Sequence, residues 1–395
     1  MAIKSQPLKV ALLIETSRSY GRGVLQGVAR YSRLHGPWRF LLTPGDFEQV
    51  LPKMRDWKGD GVIARTLNEK SAEAILEMGL PTVLLDYSVD KLDLPKEKTR
   101  FCVDLTSDSV GAARLAAKCL LDKKISRFAY VGYPFQSWSI KRERAFVDAI
   151  AEVGLETQVY RAPLHAGRPL RWEKEEAVLS AWLKALPKPI GIMACNDQRG
   201  REILDACELA GISAPEQVAV VGVDADEVLC ELSVPSLTSV ALNAEKGGYV
   251  AASVLAEMMN GLEPSVKHIL VEPLGVVERR SSNIVLVDDE DVAQALQMIH
   301  TDRLETVSVD RIARDVAVSR RTLEIKFRKY LGRTILDEIK NVRIERAKQM
   351  LRESDASIER IALTVGFSAT SYFIQTFRKE AGVTPARYRR DVRGE

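Results

Sequence analysis

Short apolar runs alternate with longer stretches in which apolar residues recur every three or four positions. "KVALLIE", beginning at Lys9, leads into "GRGVLQGVARYSRLHG", and "DGVIAR" leads into "EKSAEAILEMG" before "PTVLLDY". Further on, "RFAYVGY" precedes "KRERAFVDAIAEVG", "GIMACND" precedes "RGREILDACELAGI", and "VAVVGVDAD" follows. A run of four to seven apolar residues suits a strand buried on both faces, and the three-four spacing suits an amphipathic helix. Their alternation predicts parallel α/β architecture. Gly79, Gly154 and Gly211 stand where helices should stop, each just before the next strand.

The pattern changes after the acidic stretch Val287–Glu290, and everything beyond it reads as helix. A motif then appears twice, first as "VDRIARDVAVSRRTLEIKFRKYLGRT" and then as "IERIALTVGFSATSYFIQTFRKEAGVTP". Each copy reads as a helix-turn-helix, at about 309–330 and 357–380. A short helix carries a small central residue, Ala313 or Ala362, where a partner helix must come close. A turn follows, with Gly366 suited to a left-handed conformation. Ser319 or Ser368 is then expected to cap the second helix. That helix buries Leu323 and Phe327 in the first copy, and Phe373 and Phe377 in the second. Between the copies, "ILDEIKNVRIERAKQMLRES" reads as one stiff amphipathic helix.

At 395 residues the chain is long enough for two or three domains. Its net charge of +3 conceals an asymmetry. From Arg311 to Glu395 there are 20 Lys/Arg against 11 Asp/Glu, while the rest of the chain is acidic. A basic end on an acidic body points to a polyanionic partner. Cys102, Cys119, Cys195, Cys207 and Cys230 are odd in number, with no CxxC pair, so they are expected to fill core space. No metal site and no cofactor are expected. No segment approaches membrane-spanning length, and the only early apolar run is too short for a signal peptide, so a cytoplasmic location without membrane contact is expected. The chain also lacks GxSxG, a Walker loop, HExxH and a complete GxGxxG after a strand. The expectation is therefore a protein that is not an enzyme.

Ligands of parallel α/β sheets bind beyond the carboxyl ends of the strands. Polar, charged and aromatic residues gather at those ends: Arg18, Ser19 and Tyr20, then Arg65, Asp86, Trp138, Asn196, Asp197 and Asp224. Carboxylates and amides can hold sugar hydroxyls, and an aromatic face can cover the apolar side of a sugar ring. In the basic end, Arg320, Arg321, Glu324 and Arg328 share the open face of the first copy's second helix. Thr370, Ser371, Gln375 and Arg378 do so in the second copy. Arg321 is placed to read guanine and Gln375 to read adenine or meet a phosphate, while Arg378 is placed to meet phosphate.

Three resemblances sharpen this reading. "GIMACNDQRGREIL", "VAVVGVDADE" and "VPSLTSVALNAEKGGYVAASVLAEMMNG" resemble the periplasmic-binding-protein-like domain of LacI/GalR regulators. The resemblance implies a domain at 8–283 with two lobes: lobe 1 at about 8–103 and 238–262, and lobe 2 at about 104–237 and 266–281. Chain crossings are implied near Cys102–Asp104, Val234–Val240 and Gly261–Ile269. Position by position, Arg142, Asn196 and Asp224 match that family's sugar-contacting residues, with Asp197 an alternative to Asn196. That family begins with a helix-turn-helix, whereas this chain starts its first strand almost at once.

The second resemblance is to the AraC/XylS DNA-binding domain, through "RAKQMLRESDASIERIALTVGFSATSYFIQTFRKEAGVTPARYRR". It implies an all-α double helix-turn-helix domain at 288–395. The union of the two resembles the family of bacterial xylose operon regulators along nearly the whole chain, through "GVIA", "RERAF", "VERRS" and the C-terminal end. That likeness implies an activator with xylose or a related monosaccharide as effector, and operator DNA and RNA polymerase as partners, while the LacI/GalR resemblance implies a homodimer formed through the first lobe. At "ETSRSYGRGV", Arg18 and Arg22 differ from that family's chemistry and suit a more acidic or bulkier sugar. A nucleobase or other metabolite is the alternative effector.

Overall fold

The computed structural model describes residues 7–42, 57–66, 69–88, 90, 94–165, 168–283, 289–301 and 307–393. The chain forms two compact units that divide between Ile284 and Val285. The first two residues of the acidic stretch at 287–290 lie outside the described residues.

The first unit is built on two six-stranded sheets. The first sheet uses β1 (Lys9–Leu13), β2 (Arg39–Leu42), β3 (Gly61–Arg65), β4 (Thr82–Leu85), β5 (Cys102–Ser107) and, from far along the chain, β13 (His268–Val271). Its order is β13-β5-β4-β3-β1-β2, and all its pairs are parallel. Among the described residues, this first stretch of chain gives the lobe α1 (Ser19–His35), α2 (Glu69–Leu76) and the short α3 (Lys96–Thr99).

The second lobe begins with α4 (Ser109–Asp122), followed by β6 (Phe128–Val131), α5 (Ser137–Ala151) and β7 (Thr157–Val159). A small antiparallel pair, β8 (Leu164–His165) and β9 (Arg168–Pro169), precedes α6 (Trp172–Ala185). Then come β10 (Ile190–Ala194), α7 (Asp197–Ala210), β11 (Val218–Val223), α8 (Glu227–Leu232) and β12 (Thr238–Ala241). The chain returns to lobe 1 as α9 (Ala244–Met259), and the last strand, β14 (Gly275–Val277), belongs to lobe 2. The second sheet runs β14-β12-β11-β10-β6-β7, parallel except for the β12–β14 pair.

The two-lobed parallel architecture follows the apolar pattern, but the crossings fall later than expected. The chain leaves lobe 1 after Ser107, returns after Ala241, and crosses again between Val271 and Gly275. Residues 238–241 therefore belong to lobe 2, and 268–271 to lobe 1. The cause is strand pairing. Leu105–Ser107 still pairs with Ile269–Val271, and Ser239–Ala241 still pairs with Gly275–Val277, so each strand runs to its full length before the chain departs. Backbone bonds tie the crossings to one another, from Asp108 N to the Val271 carbonyl (2.9 Å) and from Leu274 N to the Ala241 carbonyl (2.8 Å).

The Gly-rich start of α1 is a packing device. A Cβ on Gly27 would collide with the Glu245 carbonyl, and one on Gly248 with the Val24 carbonyl, so α1 and α9 meet backbone to backbone. All five cysteines are buried and carry free thiols, as core fillers should.

The second unit holds α10 (Glu290–Thr301), α11 (Val309–Asp315), α12 (Arg320–Leu331), α13 (Ile335–Glu353), α14 (Ile358–Thr364), α15 (Thr370–Ala381) and α16 (Pro385–Arg393). Its described residues form two apolar cores. Leu323 and Phe327 pack with Ile312, Ala313, Ile335 and Ile339, whereas Phe373 and Phe377 pack with Ile344, Ala347, Leu351, Ile361 and Ala362. The 19-residue α13, about 28 Å long at ~1.5 Å per residue, serves both cores. It opens on a capping box between Thr334 and Asp337.

Ser319 caps α12 by accepting from Thr322 N, as expected. Ser368 does not cap α15. Ala369 holds the cap position and offers no side-chain acceptor. The turns explain the difference. Val318 N bonds the Ala313 carbonyl and Phe367 N bonds the Ala362 carbonyl, so these residues are equivalent. The second copy's extra residue therefore falls after Phe367 and pushes the helix start beyond Ser368. Gly366 is left-handed (φ 87°), and so is its counterpart Ala317 (φ 59°), a conformation its Cβ opposes.

Among the described residues, no helix is long and apolar enough to cross a membrane.

Candidate functional site

A cleft in the first unit, with about 370 Å³ of empty space counting its open mouth, is lined by Arg18, Tyr20, Arg65, Asp86, Ser107, Ser109, Trp138, Arg142, Asn196, Asp224 and Leu242. Its walls come from both lobes. Arg18 and Tyr20 follow β1, Arg65 ends β3, and Asp86 follows β4. Across the cleft, Trp138 and Arg142 lie on α5, Asn196 follows β10, and Asp224 follows β11. Asp86 (φ 59°) and Asp224 (φ 111°) both hold positive φ without being glycine. Such backbone costs about 1–3 kcal/mol per residue and gathers at functional sites. Asp224 N is anchored to the Val240 carbonyl at 3.0 Å, and Asp86 N to the Leu105 carbonyl at 3.0 Å.

Arg65 is fully engaged. Its Nε donates to Asp86 Oδ2 at 3.0 Å, its Nη1 pairs with Glu15, and its guanidinium lies over the Tyr20 ring. Burial opposes its charge, but Asp86 and Glu15 more than offset that and hold it protonated. Burial, aided by the Asp86 charge, pushes the Tyr20 hydroxyl well above its ordinary range, so the phenol stays neutral.

Arg142 is 4 % exposed. Its Nη1 donates to the Cys195 carbonyl, its Nη2 lies 3.8 Å from Asp224 Oδ1, and it stacks over Trp138. Its Nε–H is buried without an acceptor. Asn196 caps α7 by accepting from Arg199 N, and its residue still faces the cavity.

Two expected residues do not line the cavity. Asp197 turns away to accept from Ser239 Oγ and from Asp226 N (2.6 Å). It is the first residue of α7, so its side chain is thrown toward β12 while Asn196 faces the opening. Burial, and then the Asp224 charge, raise its carboxyl well above the usual range. Ser19 uses its backbone N–H on Asp226 Oδ2 at 3.2 Å. Arg22 is likewise committed, to Asp226 (3.4 Å) and the Thr16 carbonyl, so of the two arginines in "ETSRSYGRGV" only Arg18 reaches the cavity. Ser107, Ser109 and Leu242 were not anticipated. They sit at the chain crossings, whose positions the apolar pattern misplaces.

Burial raises the Asp224 carboxyl, with Arg142 opposing. If its ionised form accepts ligand hydroxyls, affinity for a neutral sugar is flat above that raised pKa. Affinity then falls as the pH drops through it, beginning above the ordinary carboxylate value near ~4. Calorimetry from pH 8 to pH 4.5 checks this, and Asp224→Asn should remove the pH dependence along with much of the binding.

In the second unit, Arg321 and Arg328 on α12, and Ser371, Gln375 and Arg378 on α15, are exposed. Arg320 is exposed but paired with Asp310 at 3.0 Å. Glu324 and Thr370 are half-buried, and Glu324 Oε2 is buried without a partner. Tyr372, 47 % exposed and packed edge-on against Phe367, joins this face and was not anticipated.

Three family models match the chain: an XylR N-terminal domain at residues 9–97, a periplasmic binding protein-like domain at 117–282, and a helix-turn-helix domain at 312–391. The xylose operon regulatory protein of Escherichia coli (strain K12) is 32% identical over 98% of both chains. That of Haemophilus influenzae is 30% identical, over 97% of this chain and 98% of its own. The chain belongs to the family of xylose operon regulatory proteins. A solved relative described as the xylose-binding transcription activator XylR superposes with a TM-score of 0.83 at 30% identity, covering 98% of this chain and 99% of that one. A CelR–cellobiose complex, at 21% identity and a TM-score of 0.57 over 69% of the chain, shares the fold of the two-lobed unit. The regulator thus carries its helix-turn-helix pair after the two-lobed unit, and its family is one of transcription regulators rather than enzymes.

Proposed function

We propose that this regulator binds a monosaccharide, xylose or a close relative, between its lobes, and that occupancy changes how its helix-turn-helix pair engages operator DNA. One observation carries the reading: carboxylates, an amide, guanidinium groups and two aromatic rings from both lobes converge on one cavity. Asp86 and Asp224 accept hydroxyl protons, Asn196 adds an amide, and Trp138 and Tyr20 cover apolar ring faces. The named activity of the xylose operon relatives supports the same assignment.

A ligand touching both lobes stabilises the arrangement in which both walls are in reach. It shifts that equilibrium only by its differential affinity, and a near-complete switch needs about 5.5 kcal/mol. The regulator would act in the cytoplasm as a homodimer joined through lobe 1, and would recruit RNA polymerase as an activator. Calorimetry of the full chain against pentoses, hexoses and nucleobases tests the effector class. Heat with a monosaccharide supports it, and heat with nucleobases alone defeats it.

On the DNA side, Arg321, like Arg328, is an exposed cation of α12 for which no side-chain partner is seen among the described residues, and it lies in the first turn of that helix. Arg321→Ala is expected to cost about 1–3 kcal/mol on the preferred operator and to flatten preference at one base pair. Competition binding with operator variants checks this. A uniform loss across all sequences would make Arg321 a phosphate contact instead.

A further inference from the structure

The open face of α12 is centred on an apolar side chain. Leu323 and Phe327 are fully buried in the first core of the second unit. At about 100° per residue, Ile325, midway between them, points away from that core. It is 58 % exposed and is part of neither apolar core formed by the described residues. Exposed cations flank it, Arg321 one turn before and Arg328 one turn after. By contrast, Arg320 is drawn back to Asp310, and Lys326 to Asp289 (2.9 Å) and Asp291.

The second copy holds a different side chain at this point. Phe373 and Phe377 take the places of Leu323 and Phe327, so Gln375 is the counterpart of Ile325, and it too is exposed. One copy thus offers an amide and the other an aliphatic group that makes no hydrogen bond. A lone exposed isoleucine is ordinary on a protein surface. Here it sits at the centre of the second helix of a helix-turn-helix, between cations that favour phosphates on either side. That helix enters the major groove, where thymine alone of the four bases presents a methyl group.

We propose that Ile325 reads a thymine through its C5-methyl group and so determines sequence choice in the half of the operator beneath the first copy. This rests on the operator-binding reading above and deepens it. Arg321 and Ile325 are four residues apart, about 6 Å along the helix at ~1.5 Å each, against ~3.4 Å per base pair. The thymine should therefore lie within about two base pairs of the base that Arg321 meets. The half beneath Gln375 carries no such demand.

Selection from a random duplex library by the full-length chain, with and without D-xylose, tests it. The parent should enrich a T·A pair that Ile325→Ala no longer enriches, while the other preferred positions are kept. Alanine is the better helix former, so the fold is kept, which circular dichroism checks. Replacing that thymine by deoxyuridine removes the methyl group alone. It should weaken the parent about four-fold, the effect of burying one methyl group, and leave Ile325→Ala unaffected. Gln375→Ala should stay as sensitive to deoxyuridine as the parent. Identical selected sequences, or equal sensitivity to deoxyuridine in the parent and Ile325→Ala, would overturn the proposal and leave operator binding by the second unit standing. Failure to enrich any sequence would remove the operator reading, and this proposal with it.

Discussion

Arg142→Ala is expected to weaken effector binding at least a hundred-fold, about 2.7 kcal/mol, and to destabilise the two-lobed unit as well. The side chain is almost fully buried, bonded to the Cys195 carbonyl, stacked on Trp138 and facing Asp224. Its removal leaves a carbonyl without its donor and the Asp224 carboxylate without its foremost cation, with only Arg65 and Arg18 still acting on it, and breaking a buried pair in this way costs up to about 3–5 kcal/mol. Protonation of Asp224 limits that cost at low pH, so the stability deficit should shrink as the pH falls toward 5. Denaturant midpoints at several pH values, alongside calorimetry, measure both effects. Normal binding in this variant would remove Arg142 and its neighbours from the effector site.

The other large effect is expected in the second unit. Phe327→Ala and Phe377→Ala should each cost about 3–5 kcal/mol, because both rings are fully buried, in different cores joined by α13. Each should abolish stable operator binding while leaving the heat of effector binding near that of the parent. Urea unfolding of the full chain should lose its DNA-binding transition early and keep the other. If either substitution instead removes effector binding, the two units do not fold separately.

Much of this was legible in the chain because parallel sheets impose order. A buried strand must be apolar throughout, so "VAVVGV" and "GIMA" announce themselves, and the polar residues after them have one place to go. That logic located Arg18, Arg65, Asp86 and Asp224 at the cavity without knowledge of pairing. It could not choose between Asn196 and Asp197, since neighbouring residues at a helix start point in opposite directions and only the backbone decides which faces the opening. Nor could it find Ser107, Ser109 or Leu242, because crossings are set by how long two distant strands stay paired. β2, with "RFLL" on an exposed edge, was also missed, since an edge strand carries no burial signature. In the helical unit, the repeat exposed both helix-turn-helices, but the extra residue after Phe367 concealed the true start of α15.

The central claim is that a small molecule held by the two-lobed unit governs how the tandem helix-turn-helices grip DNA. The most direct measurement is the fluorescence anisotropy of a labelled operator fragment titrated with the full-length chain, with and without saturating monosaccharide, at fixed moderate salt. The account predicts that one such ligand changes operator affinity at least ten-fold, and that affinity for an unrelated duplex changes far less. Identical curves with every sugar, or equal affinity for operator and unrelated duplex, would contradict it.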